Sequence, residues 1–455
     1  MHLSQAQGRR VLNPSGDETL RTGTDREPAR RDPGACGPSV CADASRANAL
    51  HAAWVADRYN CRMYKIRTFN QIASRGLDRF SRDDYELGSE ISDPDAILLR
   101  SHPLAVEETG SRLLCVGRAG AGVNNVPVQA LSERGIVVFN TPGANANAVK
   151  ELVMAAMLLT GRGVVPGIEF VRTASLSAAD ATELHTTVEA HKRQFKGHEL
   201  MGRTLGVLGL GAIGARVAEA ALQMGMHVLG YDPAISVDAA WRLPSDVERM
   251  ENQQALFARS DIVTLHVPLL ESTRGLINVD ALGYFREGAT LLNFAREEIV
   301  DTEALDDALR QGRIRQYVSD FPNARLLQHE GVFATPHLGA STVEAEENCA
   351  VMAADQIIDF LEHGNIRNSV NYPDIVLERT TGYRLALSNR NVPRILGQVL
   401  SILADRDINV IDMLNKSRDE VAYNLIDIES EPTAELCAEI EAIDGVVNVR
   451  PVHSA

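Results

Sequence analysis

Three short segments of this 455-residue chain carry residue types suited to chemistry. The first is Gly209-Leu210-Gly211-Ala212-Ile213-Gly214. A glycine at 209 permits a tight turn, one at 211 lets the backbone approach a pyrophosphate, and one at 214 lets a helix pack against a strand. The apolar run 204–208 precedes the motif and the amphipathic stretch 212–224 follows it. The helix N-terminus would then offer free N–H groups and a partial positive charge to the phosphates. The next apolar run ends at Asp232, 23 positions after Gly209. A carboxylate there receives the adenosine ribose hydroxyls and repels an added phosphate, so the expected cofactor is NAD.

The second segment runs from Leu292 to Asp301 and holds Arg296; the third, Thr335 to Thr342, holds His337. Arg296 follows an apolar strand pattern, and ligands bind at the carboxyl edge of open α/β sheets. A guanidinium is a planar, permanently charged fork that can bind a carboxylate bidentately and stabilise negative charge on a reacting oxygen. An imidazole titrates near working pH, which suits the removal of a hydroxyl proton while hydride leaves the same carbon.

Further basic and polar groups follow earlier strand patterns. Arg100-Ser101 ends the run 96–99, and Arg118 follows the run 113–116. Arginines at neighbouring strand ends can grip a phosphate as well as a carboxylate. Asn145 precedes the helical stretch 148–160, where it either caps that helix or faces the substrate. Lys150 on its first turn is expected to be solvated.

These groups need a scaffold. Strand patterns at 64–69, 96–99, 113–116 and 136–139 form one set, and 204–208, 227–231, 262–266, 290–293 and 315–318 form another. Helix-period segments separate them, and such alternation predicts two α/β domains with parallel sheets. A long helical pattern at 342–363 would carry the chain back from the second domain to the first, with Gly364 after it. The last stretch reads strand–helix–strand–strand–helix–strand (383–388, 394–405, 408–416, 421–429, 434–442, 446–452), a ferredoxin-like βαββαβ unit. The expected boundaries are 63–160 with 341–375 for a substrate domain, 161–340 for the nucleotide domain and 381–455 for the C-terminal unit. Residues 1–62 are rich in Arg, Asp, Gly, Pro, Ser and Ala; the expectation is that they form a disordered extension or that translation starts at Met63.

Composition narrows the function classes. The net charge of −16 argues against nucleic acid or an anionic membrane as partner. No stretch approaches the ~18 apolar residues of a membrane span. The six cysteines show no CxxC pairing or Cys/His ladder, so no metal site is expected and a reducing, cytoplasmic setting is.

With these motifs in this order, the chain resembles the D-isomer-specific 2-hydroxyacid dehydrogenases from Met63 to its C-terminus. The resemblance implies a flavodoxin-like substrate domain into which an NAD-binding Rossmann domain is inserted, with the active site in the cleft between them. It implies His337 as acid/base and Arg296 as carboxylate and oxyanion ligand. It places NAD along Gly209, Gly211, Ala212, Ile213, Gly214, Asp232, His266, Phe294, Ala295, Asp320 and Gly339. Members acting on phosphorylated substrate carry arginines in both early motifs, so Arg100, Ser101, Arg118 and Asn145 become the substrate group. The implied reaction is NAD-dependent oxidation of 3-phospho-D-glycerate to 3-phosphohydroxypyruvate, which opens serine biosynthesis. The alternatives are reduction of glyoxylate, hydroxypyruvate or 2-oxoglutarate, or NAD(H) sensing without catalysis.

The sequence also departs from the family. Members usually carry a Glu that bonds the catalytic His, in a segment reading Asp-Val-Phe-x-x-Glu-Pro; anchored on Phe321-Pro322, that position is Ala324. Loss of a carboxylate partner would lower the imidazole pKa and loosen its orientation. Asp320 is expected either to substitute or, preferably, to hold the nicotinamide carboxamide. The usual Arg-Gly-Glu reads Arg296-Glu297-Glu298. The C-terminal unit looks like an ACT domain, which in serine-sensitive relatives binds the amino acid between paired subunits. Asn391 and Asn409 match two such asparagines, and Asn389 stands where a His is usual; the other reading is a dimerisation module without ligand. The expected assembly is a homodimer or homotetramer.

Overall fold

The computed structural model describes residues 63–452. The expectation for residues 1–62 lies outside the described residues. Three sheets organise the chain. The first has five parallel strands: β1 (Tyr64–Thr68), β2 (Tyr85–Gly88), β3 (Ala96–Leu99), β4 (Cys115–Arg118) and β5 (Val137–Phe139), in the order β2-β1-β3-β4-β5. The second has seven: β6 (Thr204–Leu208), β7 (His227–Tyr231), β8 (Val247–Arg249), β9 (Ile262–Leu265), β10 (Ala289–Asn293), β11 (Ile314–Ser319) and β12 (Val332–Ala334), in the order β12-β11-β10-β9-β6-β7-β8. β3, β9 and β10 are buried along their whole length. Strands covered on both faces read as unbroken apolar runs rather than alternating ones.

The third sheet is antiparallel and holds β13 (Tyr383–Arg390), β14 (Val410–Arg418), β15 (Val421–Ile428) and β16 (Val446–Val452), in the order β14-β15-β13-β16. With helices Ile395–Asp405 and Ala434–Glu441 it makes the expected βαββαβ unit. The fold class is therefore as read: doubly wound α/β with a C-terminal ferredoxin-like module.

The run expected at 113–116 pairs two residues later, as β4, so Arg118 is the last residue of the strand. β2, β8 and β12 are absent from the sequence reading, and each lies at a sheet edge. Two helices, Val164–Ser177 and Ala181–His191, were likewise not anticipated; the second buries none of its residues and so leaves no periodic apolar signal. No single helix among the described residues is long and apolar enough to cross a membrane. Among the same residues, no group of three or more His, Cys, Asp or Glu side chains is placed to hold a metal ion.

Helix Val343–His363 packs on the first sheet through Cys349, Ala353, Ile357 and Phe360. It ends on Gly364 at φ 74°, a left-handed cap that glycine adopts without strain. Its last carbonyls are taken by side chains from the linker and the third sheet. Arg450 donates to Phe360 and Leu361, Arg379 to Glu362, Arg384 to His363 and the Tyr423 hydroxyl to Gly364. The orphan carbonyls of the helix end are thus satisfied from the linker and the C-terminal module. Ala386, Tyr423, Leu425 and Val452 of that module share one core with Ile66, Leu98 and Phe139 of the first sheet. The module is packed onto the first sheet and its long helix rather than being a tethered appendage.

Candidate active site

The cofactor loop follows β6. Gly209 sits at φ 91°, and a Cβ there would come within 2.7 Å of the His266 backbone. A Cβ on Gly214 would fall 1.9 Å from the Gly209 carbonyl oxygen, so helix and turn meet with no room for a methyl group. At Gly211, the N-cap of helix Ala212–Gln223, a Cβ would meet nothing within 4 Å. Two glycines are required by close packing, and the third faces open space at a helix N-terminus, where a pyrophosphate would lie. Asp232 Oδ2 accepts the Leu210 N–H at 2.8 Å and Oδ1 the Ala234 N–H at 2.9 Å. The carboxylate is held beside the loop with lone pairs to spare for hydroxyl donors. These residues fit NAD. Gly214→Ala should weaken NADH binding by about two orders of magnitude, because the loop must shift to admit the methyl; fluorescence titration with NADH checks this.

The remaining cofactor candidates divide. The Phe294 ring is packed in the core, so only its backbone stands at the strand end. Ala295 begins the turn that carries Arg296. His266 shares a 2.9 Å hydrogen bond with Thr264 Oγ1, while burial pushes its imidazole down to about 3 and keeps it neutral. Asp320 is 2% exposed and accepts from Thr335 Oγ1 (2.6 Å), Leu338 N (2.7 Å) and Gly339 N (2.6 Å). None of these bonds reaches the His337 ring: the carboxylate anchors the loop that bears His337. A Cβ on Gly339 would lie 3.0 Å from Asp320 Oδ2, which explains the glycine.

Arg296 and His337 both stand on constrained turns. Asn293, fully buried at the end of β10, accepts the Ala295 N–H at 3.1 Å and donates to the Arg296 carbonyl at 2.8 Å. It also donates to the Tyr317 hydroxyl at 3.3 Å. Asn293 was not singled out from sequence, since an Asn ending an apolar strand reads as a turn residue. His337 has φ 57° and an exposed ring that meets the Phe321 ring edge-on at 5.1 Å. No carboxylate bonds the His337 ring among the described residues. The segment that would supply one is drawn elsewhere. Arg325 Nε donates to Asp306 Oδ2 at 2.6 Å, and the same buried carboxylate takes Arg310 (2.7 Å) and His329 (2.7 Å). The His329 hydrogen bond, outweighing burial and joined by Arg325 and Arg310, holds Asp306 below the usual carboxylate range. Ala324 is exposed on this pinned segment.

The substrate candidates lie across the cleft. A Cβ on Gly122 would meet Arg296 Nη2 at 3.0 Å, and one on Gly143 would meet Ala212 Cβ at 3.0 Å, so the loops after β4 and β5 face the nucleotide half. Leu99 pairs with Arg118, which sets Arg100 and Arg118 at adjacent strand ends. Arg118 Nε donates to the Arg100 carbonyl at 3.0 Å. Burial lowers the Arg118 guanidinium below its ordinary value, and the charges of Arg100 and Arg296 push it the same way. The three guanidiniums are thus near enough for the charges of Arg100 and Arg296 to act on Arg118. Ser101 is exposed beside them, its N–H bonded to Asn70 Oδ1. Asn145 makes no side-chain cap bond to the helix Ala146–Gly161 that it precedes, and its Oδ1 is buried without a partner. Of its two expected roles, capping is the one the structure excludes. Lys150 is paired at 3.5 Å with its neighbour Glu151.

The effector candidates are not brought together within one chain. Asn391 bonds to Asp419 and Glu420 ahead of β15, whereas Asn409 bonds to Glu429 beyond its other end. Asn389 accepts from Asn424 and donates to the Arg390 carbonyl. At about 3.3 Å per residue, Asn391 and Asn409 are separated by the whole length of β15.

Residues 168–339 match the D-isomer specific 2-hydroxyacid dehydrogenase, NAD binding domain. A D-3-phosphoglycerate dehydrogenase of Haemophilus influenzae is 32% identical over 85% of this chain and 94% of its own length. The chain belongs to the D-isomer specific 2-hydroxyacid dehydrogenase family, and its second sheet is the family's NAD-binding domain. Another relative of the same name, from Methanocaldococcus jannaschii, is 34% identical over 72% of this chain; the chain spans 61% of that relative's length. Among solved structures, NAD+-bound 3-phosphoglycerate dehydrogenase of Entamoeba histolytica matches at 28% identity and TM-score 0.54, over 68% of this chain and 99% of that one.

Proposed function

We propose that this chain oxidises 3-phospho-D-glycerate to 3-phosphohydroxypyruvate with NAD, the entry to the phosphorylated route to serine. The observation that carries the reading is the clustering of Arg100, Arg118 and Arg296: two stand at adjacent strand ends, and the third approaches the loop after β4. A small substrate with a carboxylate at one end and a phosphate at the other needs a cationic group for each. Arg296 binds the carboxylate and stabilises charge on the reacting oxygen. Arg100 and Arg118 receive the phosphate, with Ser101 and the unpartnered Asn145 Oδ1 beside the path of the substrate. His337 takes the hydroxyl proton as the hydride departs from the same carbon. NAD, when bound, supplies the hydride acceptor along Gly209–Gly214, Asp232 and the strand ends at His266, Phe294, Ala295 and Gly339.

The C-terminal module acts in this reading as an ACT domain in a paired assembly. Asn391 and Asn409 lie at opposite ends of β15, so they serve one L-serine only if one of them comes from a second copy. Helix Val164–Ser177 leaves Val164, Ile168, Val171 and Leu176 exposed, with Leu158 and Leu159 of the preceding helix, which supports a homodimer through the nucleotide half. The setting is the cytoplasm, in keeping with buried thiols at Cys115 and Cys349 that form no disulfide.

The test is the initial rate of NADH formation with 3-phosphoglycerate, glycerate and 2-hydroxyglutarate. Strong preference for the phosphorylated acid is expected. Turnover of unphosphorylated acids alone would assign the chain to the reductases of this family. NADH binding without turnover of any acid would favour a sensing role, which the unpaired His337 ring fits.

A further inference from the structure

The phosphate grip is not free in the structure. Arg100 Nη1 lies 2.7 Å from Glu346 Oε1, on the first turns of helix Val343–His363. Acidic residues in a first turn ordinarily complement the helix dipole, and Glu344 on the same turn is such a case. Glu347, the next residue, pairs instead with Arg75 outside the cleft. Among the described residues, Glu346 is the carboxylate paired with the arginine that stands at the end of β3 beside Arg118.

We propose that Glu346 is a specificity-determining residue: it occupies Arg100 until a more strongly charged anion displaces it. The inference rests on the reading of Arg100 and Arg118 as the phosphate subsite. A carboxylate arriving from solution would replace one carboxylate by another. Glu346 is already tethered at high effective concentration, so that exchange gains little. A phosphate, with up to two negative charges and three acceptor oxygens, binds both arginines and wins the exchange. Glu346 therefore penalises a dicarboxylic acid more than a phosphorylated one of similar length.

The experiment compares wild type, Glu346→Gln and Glu347→Gln in kcat/KM for 3-phosphoglycerate and for 2-hydroxyglutarate. Line broadening of inorganic phosphate in 31P NMR is measured on the same three proteins. Glu346→Gln should lower the KM for both acids, more for the dicarboxylic one, so that the preference for the phosphorylated acid falls about fivefold, as for release of a partly exposed ion pair. It should also tighten inorganic phosphate binding, and Glu347→Gln should do neither. An unchanged or increased preference, with phosphate bound equally by wild type and Glu346→Gln, overturns this inference and leaves the subsite reading standing. No phosphate binding in any of the three proteins, with no preference for the phosphorylated acid, overturns both.

Discussion

Replacing His337 with alanine is expected to lower kcat about 10³-fold while leaving NADH affinity within about twofold of wild type. The imidazole stands exposed on a loop whose geometry is set by Asp320, not by the imidazole itself. Removing the ring therefore removes the proton acceptor and little else. Stopped-flow NADH formation together with NADH fluorescence titration separates the two effects. Because no carboxylate bonds the ring, orientation must come from the positive φ of His337, the Phe321 edge and the substrate. Phe321→Ala should accordingly reduce kcat as well, by a smaller factor, and leave cofactor binding intact.

The second large effect concerns stability. Arg384 and Asp427 are both fully buried and face each other across β13 and β15. Arg384 makes five hydrogen bonds: two to Asp427 (2.6 and 2.9 Å) and three to the carbonyls of His363, Leu377 and Glu378. These match the five donors of a guanidinium, and Asp427 gains another bond from Thr380 Oγ1. Breaking such a pair on one side leaves an uncompensated buried charge and costs about 3–5 kcal/mol. Asp427→Asn should lower the thermal midpoint of the substrate half by roughly 10 °C, in a scan followed by circular dichroism. Replacing both partners with apolar residues, Arg384→Met with Asp427→Leu, removes the unpaired charge but leaves the carbonyls of His363, Leu377 and Glu378 without their donor, so it should recover only part of that loss. Burial alone would raise the Asp427 pKa, but Arg384 and Thr380 outweigh it and hold it below the ordinary value. Its stabilising contribution is therefore complete above pH ~4, the unfolded value, and is lost as pH falls through the lower folded value. The double variant should lack that acid-sensitive step.

Much of this architecture was legible because burial on both faces leaves a plain signal. β3 is an unbroken apolar run and β9 and β10 are apolar but for Thr264, Thr290 and the terminal Asn293, and the glycines at 209, 211 and 214 stand where strand turns into helix as the motif demands. The edge strands β2, β8 and β12 were not legible. They are three or four residues long, and Val247-Glu248-Arg249 has no apolar alternation to detect. Helix Ala181–His191 is capped by Asp180 but buries none of its own residues, so its sequence looks like a polar linker. In the site, the residue types carried the main groups: an arginine at or just beyond each of three strand ends and a histidine before the long helix. What they could not carry was pairing. Asp306 lies on an ordinary amphipathic helix, yet it collects Arg310, Arg325 and His329 and thereby pins the segment where a carboxylate for His337 was sought. Asp320, considered as a substitute partner for the histidine ring, bonds instead to the loop backbone and to Thr335. Glu346 looks like any acidic residue on a first turn until the fold sets it against Arg100. Side-chain partners distant in sequence follow from tertiary packing, which local pattern does not encode.

The claim that most of this account depends on is that Arg118, held beside Arg100 and Arg296, reads the substrate's phosphate. The direct measurement is the ratio of kcat/KM for 3-phosphoglycerate to that for glycerate, in wild type and in Arg118→Met. Loss of a charge-assisted contact made only by the phosphate should reduce the ratio about 10²-fold, through the phosphorylated substrate alone. A ratio unchanged by the substitution, or a wild-type ratio near one, would contradict the account.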